Sequence, residues 1–163
     1  MNVIAIDTGR EMRDAFRPVL AAARRIASRR RFEICSIGDH RCHLLQVGNA
    51  PHRCGLDRSY EAAFHYFARV KAAKVIFCGA GAVRDAISVG DIRRTGGDAV
   101  DHLYTRDVLR ELKARTVLRM LYFSRGVYDT GAWEWESLLG PRNVAVLEDP
   151  RKAASAMLSL IDR

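Results

Sequence analysis

Hydrophobic positions along this chain follow two rhythms, short unbroken runs and stripes recurring every three or four residues, and the two alternate. The first run, at 3–6 within the stretch NVIAIDTGREM, stops abruptly at Asp7-Thr8-Gly9. A β-branched run bounded by turn residues suits a strand buried on both faces. Phe16, Val19, Leu20, Ala23, Ile26 and Ala27 then recur at helical spacing and predict a helix over about 12–30 with one buried stripe. Pro18 would either start its regular part or kink its first turns. Residues 32–37 predict a second strand, Gly38-Asp39 a turn, and 40–47 a third strand forming an antiparallel hairpin with the second. A loop over 48–59, containing Pro51 and two glycines, leads to a helix over 60–74 carrying Ala63, Phe64, Phe67, Ala68 and Val70.

The same alternation continues. Residues 74–78 predict a buried strand ending in the turn Gly79-Ala80-Gly81; 82–89 fit a short helix or a loop, and 92–100 carry turn residues around Gly96-Gly97. A helix is expected over 101–113, a strand over 116–123, a loop over 124–130 and a short amphipathic helix over 133–139, stopped by Gly140-Pro141. A last strand, 144–147, and a last helix, 151–161, close the chain. Strands alternating with helices imply a mainly parallel sheet with helices on both faces, and the absence of a linker implies one domain over 1–163. In open α/β sheets ligands collect at the carboxyl ends of the strands, which makes Asp7 the first candidate for function.

Composition narrows the classes. At 163 residues and 48% hydrophobic, the chain can bury one sizeable core and is not a disordered segment. The apolar runs, such as 117–123 with Arg119 inside it, are too short and interrupted to cross a bilayer, so no membrane partner is expected. The N-terminus lacks the basic and apolar regions of a secretory signal, so a cytoplasmic location with four reduced cysteines is expected. Net charge is +8, and Arg greatly outnumbers Lys. Nucleic acid or an acidic protein face would satisfy that excess, and a GC-rich genome would also produce it. Arg24, Arg25, Arg29, Arg30 and Arg31 cluster at the far end of the first helix, where cations complement the negative end of the helix dipole.

The order of elements, with Asp7-Thr8-Gly9-Arg10-Glu11-Met12 after the first strand, a hairpin next, and then a helix and a strand ending in a tight turn, resembles a von Willebrand factor type A (vWA) domain. The closing segment NVAVLEDPRKAASAMLSLI is similar to that family's final strand, loop and helix. The resemblance covers nearly the whole chain. It implies a three-layer, Rossmann-like, doubly wound α/β sheet, mainly parallel with one antiparallel edge strand. In the family, a motif of the form Asp-x-Ser-x-Ser joins a threonine and a second aspartate to hold magnesium through hard oxygen ligands. Here the resemblance keeps Asp7 alone. Gly9, Arg10 and Glu11 replace the hydroxyls, Ser59 is the hydroxyl nearest the threonine loop, and Ala80 stands where the second aspartate would be. That implies a lost or weakened site, with Asp7, Glu11 and Ser59 as a reduced set for magnesium. Without an ion, Asp7 would accept hydrogen bonds from backbone N–H groups at the following helix start.

Three other constellations carry possible chemistry. His40-Arg41-Cys42 and His52-Arg53-Cys54 repeat one tripeptide, and His40, Cys42, His52 and Cys54 would supply four ligands to zinc, although the spacing is not a common zinc pattern. KVIFCGAGAVR resembles a dinucleotide-binding turn whose third glycine is replaced by Arg84. Trp133 and Trp135 flank Glu134 after a loop, so at least one indole is expected near the surface, where it would favour partner contacts. No catalytic residue is assigned and no cofactor is expected beyond magnesium or zinc. The leading reading is a non-enzymatic protein–protein interaction or adaptor module of a larger bacterial-type assembly, working with an AAA-type ATPase as the resemblance implies. Its partner would meet the loop cluster of Asp7, Arg10, Glu11, Ser59 and Arg84, with Trp133 and Trp135. A small nucleotide-binding protein or enzyme using the same crevice, and a nucleic-acid-binding protein acting through its Arg-rich faces, are the alternatives.

Overall fold

The β-branched run at the N-terminus forms β1 (Asn2–Asp7), buried from Val3 onward, because it lies in the middle of the sheet with neighbours on both sides. The computed structural model describes residues 1–38, 42–44, 60–81, 105–126 and 129–163. After β1 come α1 (Arg13–Arg30), β2 (Phe32–Ile37), β3 (Cys42–Leu44), α2 (Tyr60–Arg69), β4 (Lys74–Gly79), α3 (Thr105–Lys113), β5 (Val117–Phe123), α4 (Gly131–Leu139), β6 (Val144–Leu147) and α5 (Ala153–Asp162). The sheet order is 3-2-1-4-5-6. Strands β2, β1, β4, β5 and β6 run parallel, and short β3 pairs with β2 in the antiparallel sense.

Alternate strand residues feed two cores. On one face Val3, Ala5, Val75, Phe77, Met120 and Tyr122 pack with α2, α3 and α4; on the other Ile4, Ile6, Ile76, Cys78, Leu121 and Phe123 pack with α1 and α5. This follows from the two-residue period of a strand, which sends successive side chains to opposite faces. The chain goes outward from β1 to β2 and β3, then returns to β4 on the other side of β1. The order in which strands are added therefore reverses between parallel β1 and β4, and the crevice of a doubly wound fold opens where that happens. No described helix is long and apolar enough to cross a membrane.

Several boundaries differ from the sequence reading for local reasons. Pro18 lies inside α1, which starts at Arg13 after a 3-10 turn at Arg10–Met12, so the proline does not begin the helix. The helix expected to reach residue 74 stops at Arg69. Lys71 turns left-handed at φ 51°, and bonds from Lys71 N to Ala68 O and Ala72 N to Phe67 O close its end. Glycine usually fills such a position, so a lysine gives no warning in the sequence. Arg31, at φ 54°, ends α1 in the same conformation.

Candidate functional site

After β1, β5 and β6 an aspartate stands at or just before the start of the next helical segment. Gly9 N donates to Asp7 Oδ1 at 2.7 Å, Gly131 N to Asp129 Oδ1 at 3.1 Å, and Arg151 N to Asp149 Oδ1 at 2.9 Å. Each is a carboxylate accepting from the backbone two residues on, which satisfies an N–H that helix geometry leaves unpaired. The first two share the tripeptide Asp-Thr-Gly, at 7–9 and 129–131. Thr8 anchors its copy sideways, with its backbone N and Oγ1 both donating to Ile37 O at 2.9 and 2.8 Å.

Asp7 is fully buried at the mouth of the crevice. Tyr60, the first residue of α2, donates its hydroxyl to Asp7 Oδ2 at 3.0 Å. The phenol fills the space beside β4's last residue: a Cβ on Gly79 would overlap the Tyr60 hydroxyl and stand 3.1 Å from Asp7 Cβ. Glycine is required there because the two chains and the phenol approach too closely for any side chain. Beneath, the Tyr60 ring packs edge-on against Trp135, 4.9 Å between centroids, and against Phe77 at 6.1 Å.

Trp135 Nε1 donates to Gly81 O at 3.2 Å, and Gly81 N donates to the Tyr122 hydroxyl at 3.0 Å. Tyr122 in turn donates to Asp129 Oδ1, while Arg125 N donates to Asp129 Oδ2 at 2.9 Å. Two tyrosine–aspartate pairs thus stand on either side of the Gly79-Ala80-Gly81 turn, joined through Trp135. The turn's Gly81 N–H, the kind of donor a bound phosphate would need, is engaged by Tyr122.

Burial raises the Asp129 carboxyl, but hydrogen bonds from Tyr122, Arg125 and Gly131 and the Arg125 charge outweigh it and hold the group below its ordinary value. A carboxyl depressed in the folded state contributes stability that is present above its unfolded value, about 4, and is lost as pH falls through the folded one. Tyr122→Phe removes a donor and is expected to raise the Asp129 midpoint, shifting the acid limb of the stability curve to higher pH. Carboxyl chemical shifts against pH check this; an unmoved Asp129 midpoint would rule the tyrosine out as its anchor. Cys78, at the end of β4, is buried with its thiol pushed far up by desolvation, which keeps it protonated and chemically quiet.

The structure sorts the residues picked from the sequence. Asp7, half-buried Glu11 and exposed Arg10 share the β1 end. Trp133 is 75% exposed, whereas Trp135 is fully buried, so Trp135 acts as a prop beneath the site and cannot itself touch a partner. Ser59, Arg84, His40, His52 and Cys54 lie outside the described residues, as does the side chain of Cys42, whose backbone belongs to β3. Among the described residues no three His, Cys, Asp or Glu side chains gather as a metal group. The sequence reading missed Tyr60, Tyr122 and Asp129; the repeated Asp-Thr-Gly was the signal that could have found the last. A hollow of about 670 Å³, lined by Lys71, Ala72, Glu111, Leu112, Arg115 and Thr116, lies at the opposite, amino end of the sheet. No known protein-family model matches the chain, and no curated protein matches it.

Proposed function

We propose that the chain is a non-enzymatic recognition module of vWA-like design, in which the carboxyl edge of the sheet binds a protein partner and a hydrogen-bonded strut replaces the ion. The observation that carries this reading is Trp133, 75% exposed two residues into α4, whose start is wedged against Gly81 and Tyr122. An exposed indole on a rigid, buried base loses little freedom on binding, and tryptophan is among the residues that most often dominate interfaces. Exposed Arg10 and Arg125 lie at the same edge and suit a partner with carboxylates.

The strand order 3-2-1-4-5-6 with its antiparallel edge strand, and the position of Asp7 at the β1 end, support the vWA-like part. The donor set supports loss of the ion. An N–H and a phenolic O–H point at the Asp7 carboxylate, Gly79 leaves no room past the phenol, and buried Ala80 offers no oxygen side chain. These residues do not fit a hard divalent cation, which demands several converging oxygens. Cys35 and Cys78, both buried, suit a reducing, cytoplasmic setting.

Immobilised protein is expected to retain one partner from an extract of its own cells, equally with and without EDTA, and to lose it in the Arg10→Glu, Trp133→Ala variant. Retention by that variant would refute the placement. Loss of the partner in EDTA would refute the ion-free strut.

A further inference from the structure

Among the described helices, basic residues gather on α1. Helix α1 carries six arginines, no lysine and a single aspartate, with Arg10 and Arg31 at its flanks. On the three described helices of the opposite face the described charged side chains balance, Arg69, Arg110 and Lys113 against Glu111, Glu134 and Glu136. At about 100° per residue, Arg13, Arg17 and Arg24 fall within about 40° of one another and form a row along the exposed side of α1. Arg25 and Arg29 form a second row, and exposed Ala21 and Ser28 lie between the two. Successive arginines in the first row rise by about 6 and 10 Å, for a span of about 16 Å.

Stability accounts for the last turn of α1 but not for the rest of these positions. Arg29 and Arg30 sit in the last turn, where the dipole welcomes cations, and Arg30 also approaches Asp162 at 3.5 Å. Arg10 and Arg13 stand at the other end, where the dipole is positive and cations are disfavoured. Arg13 with Arg17, and Arg25 with Arg29, are like charges at i and i+4, which repel. Among the described residues no ion pair engages Arg13, Arg17, Arg24 or Arg25. A surface built against its own electrostatics gains when a polyanion neutralises it.

We propose that this face of α1 binds the phosphate backbone of a double-stranded nucleic acid without reading its sequence. The planar guanidinium fork matches phosphate, and small residues between two arginine rows let a backbone approach closely. Helix α1 exposes no large apolar or aromatic side chain, so it offers neither a stacking platform for single strands nor a wedge for a lipid surface. The inference rests on Arg13, Arg17, Arg24, Arg25 and Arg29, none of which belongs to the proposed partner site of Arg10, Arg125 and Trp133, so either can fail alone.

The test is fluorescence anisotropy of the full chain with a labelled 24-base-pair duplex of arbitrary sequence, from 50 to 300 mM salt. The expected result is binding at low salt, with log affinity falling against log salt by about 0.9 for each phosphate neutralised, a slope of about 4. Arg17→Glu with Arg24→Glu, both exposed, should weaken binding at least tenfold and lower the slope by about 2. Arg115→Glu, on the other side, should change it less than twofold. Circular dichroism confirms that each variant is folded. Absent binding at 50 mM salt, equal weakening by Arg115→Glu, or equally tight binding of polyglutamate, which would indicate an acidic protein instead, each overturns the proposal.

Discussion

Asp7→Ala is expected to lower stability by about 2–4 kcal/mol, a drop in Tm of roughly 5–15 °C for a chain of this size. The substitution removes the acceptor of two buried donors, Gly9 N–H and the Tyr60 hydroxyl, in a pocket that water does not enter. Leaving a buried donor unsatisfied costs about 1–3 kcal/mol, more than the hydrogen bond itself contributes when made. Tyr60→Phe, which removes one donor and leaves the ring packing intact, is expected to cost about 1–2 kcal/mol. The decisive measurement is the double-mutant cycle in urea. If the hydroxyl and the carboxylate act as one strut, Asp7→Ala should cost less in the Tyr60→Phe background, with a coupling of about 0.5–3 kcal/mol. Additive losses would show that Asp7 works through other groups and that Tyr60 is only a neighbour.

The strut explains which parts of the site were legible in the sequence. Asp7 was readable because everything that places it is local: an apolar run, an abrupt stop and a turn. Its backbone bond was readable too, since an aspartate two residues before a glycine is a local turn signal. Tyr60 was not. It lies 53 residues away, and at the head of an apolar helix a tyrosine reads as core, which leaves adjacent Ser59 as the hydroxyl the sequence offers. Asp129 was hidden similarly. Its turn partner Gly131 falls between the loop over 124–130 and the helix over 133–139, and its partner Tyr122 lies inside a strand, where alternation alone decides which face a residue takes.

The central strands β1 and β4 were legible nearly to the residue because each is a run buried on both faces, the strongest apolar signal a parallel sheet produces. Helix ends were less so. Lys71 and Arg31 adopt the left-handed conformation that glycine usually marks, and the packing of the turn decides this more than residue preference does. The two tryptophans show a period left unused in the sequence reading. Positions two apart on a helix differ by about 200°, so one of Trp133 and Trp135 had to face inward once the segment was helical.

That division gives the second large effect. Trp135→Ala is expected to destabilise by about 3–5 kcal/mol, because it empties a fully buried site and also removes the donor to Gly81 O. The Tyr60 ring would lose its edge-on neighbour at 4.9 Å, so the damage should spread to the Asp7 strut and lower the coupling measured between Asp7 and Tyr60. Trp133→Ala removes a side chain that is three-quarters solvated and should change stability by no more than about 0.5 kcal/mol. Fluorescence distinguishes the two. The variant retaining Trp135 should emit to the blue and resist iodide quenching, and the variant retaining Trp133 should emit to the red and quench readily. Equal losses of stability would mean that Trp133 is part of the fold and not a free contact. Unequal losses, with partner capture abolished only in the stable variant, would separate recognition from folding on one helix: the inward indole holds the turn and the strut in place, and the outward one meets the partner.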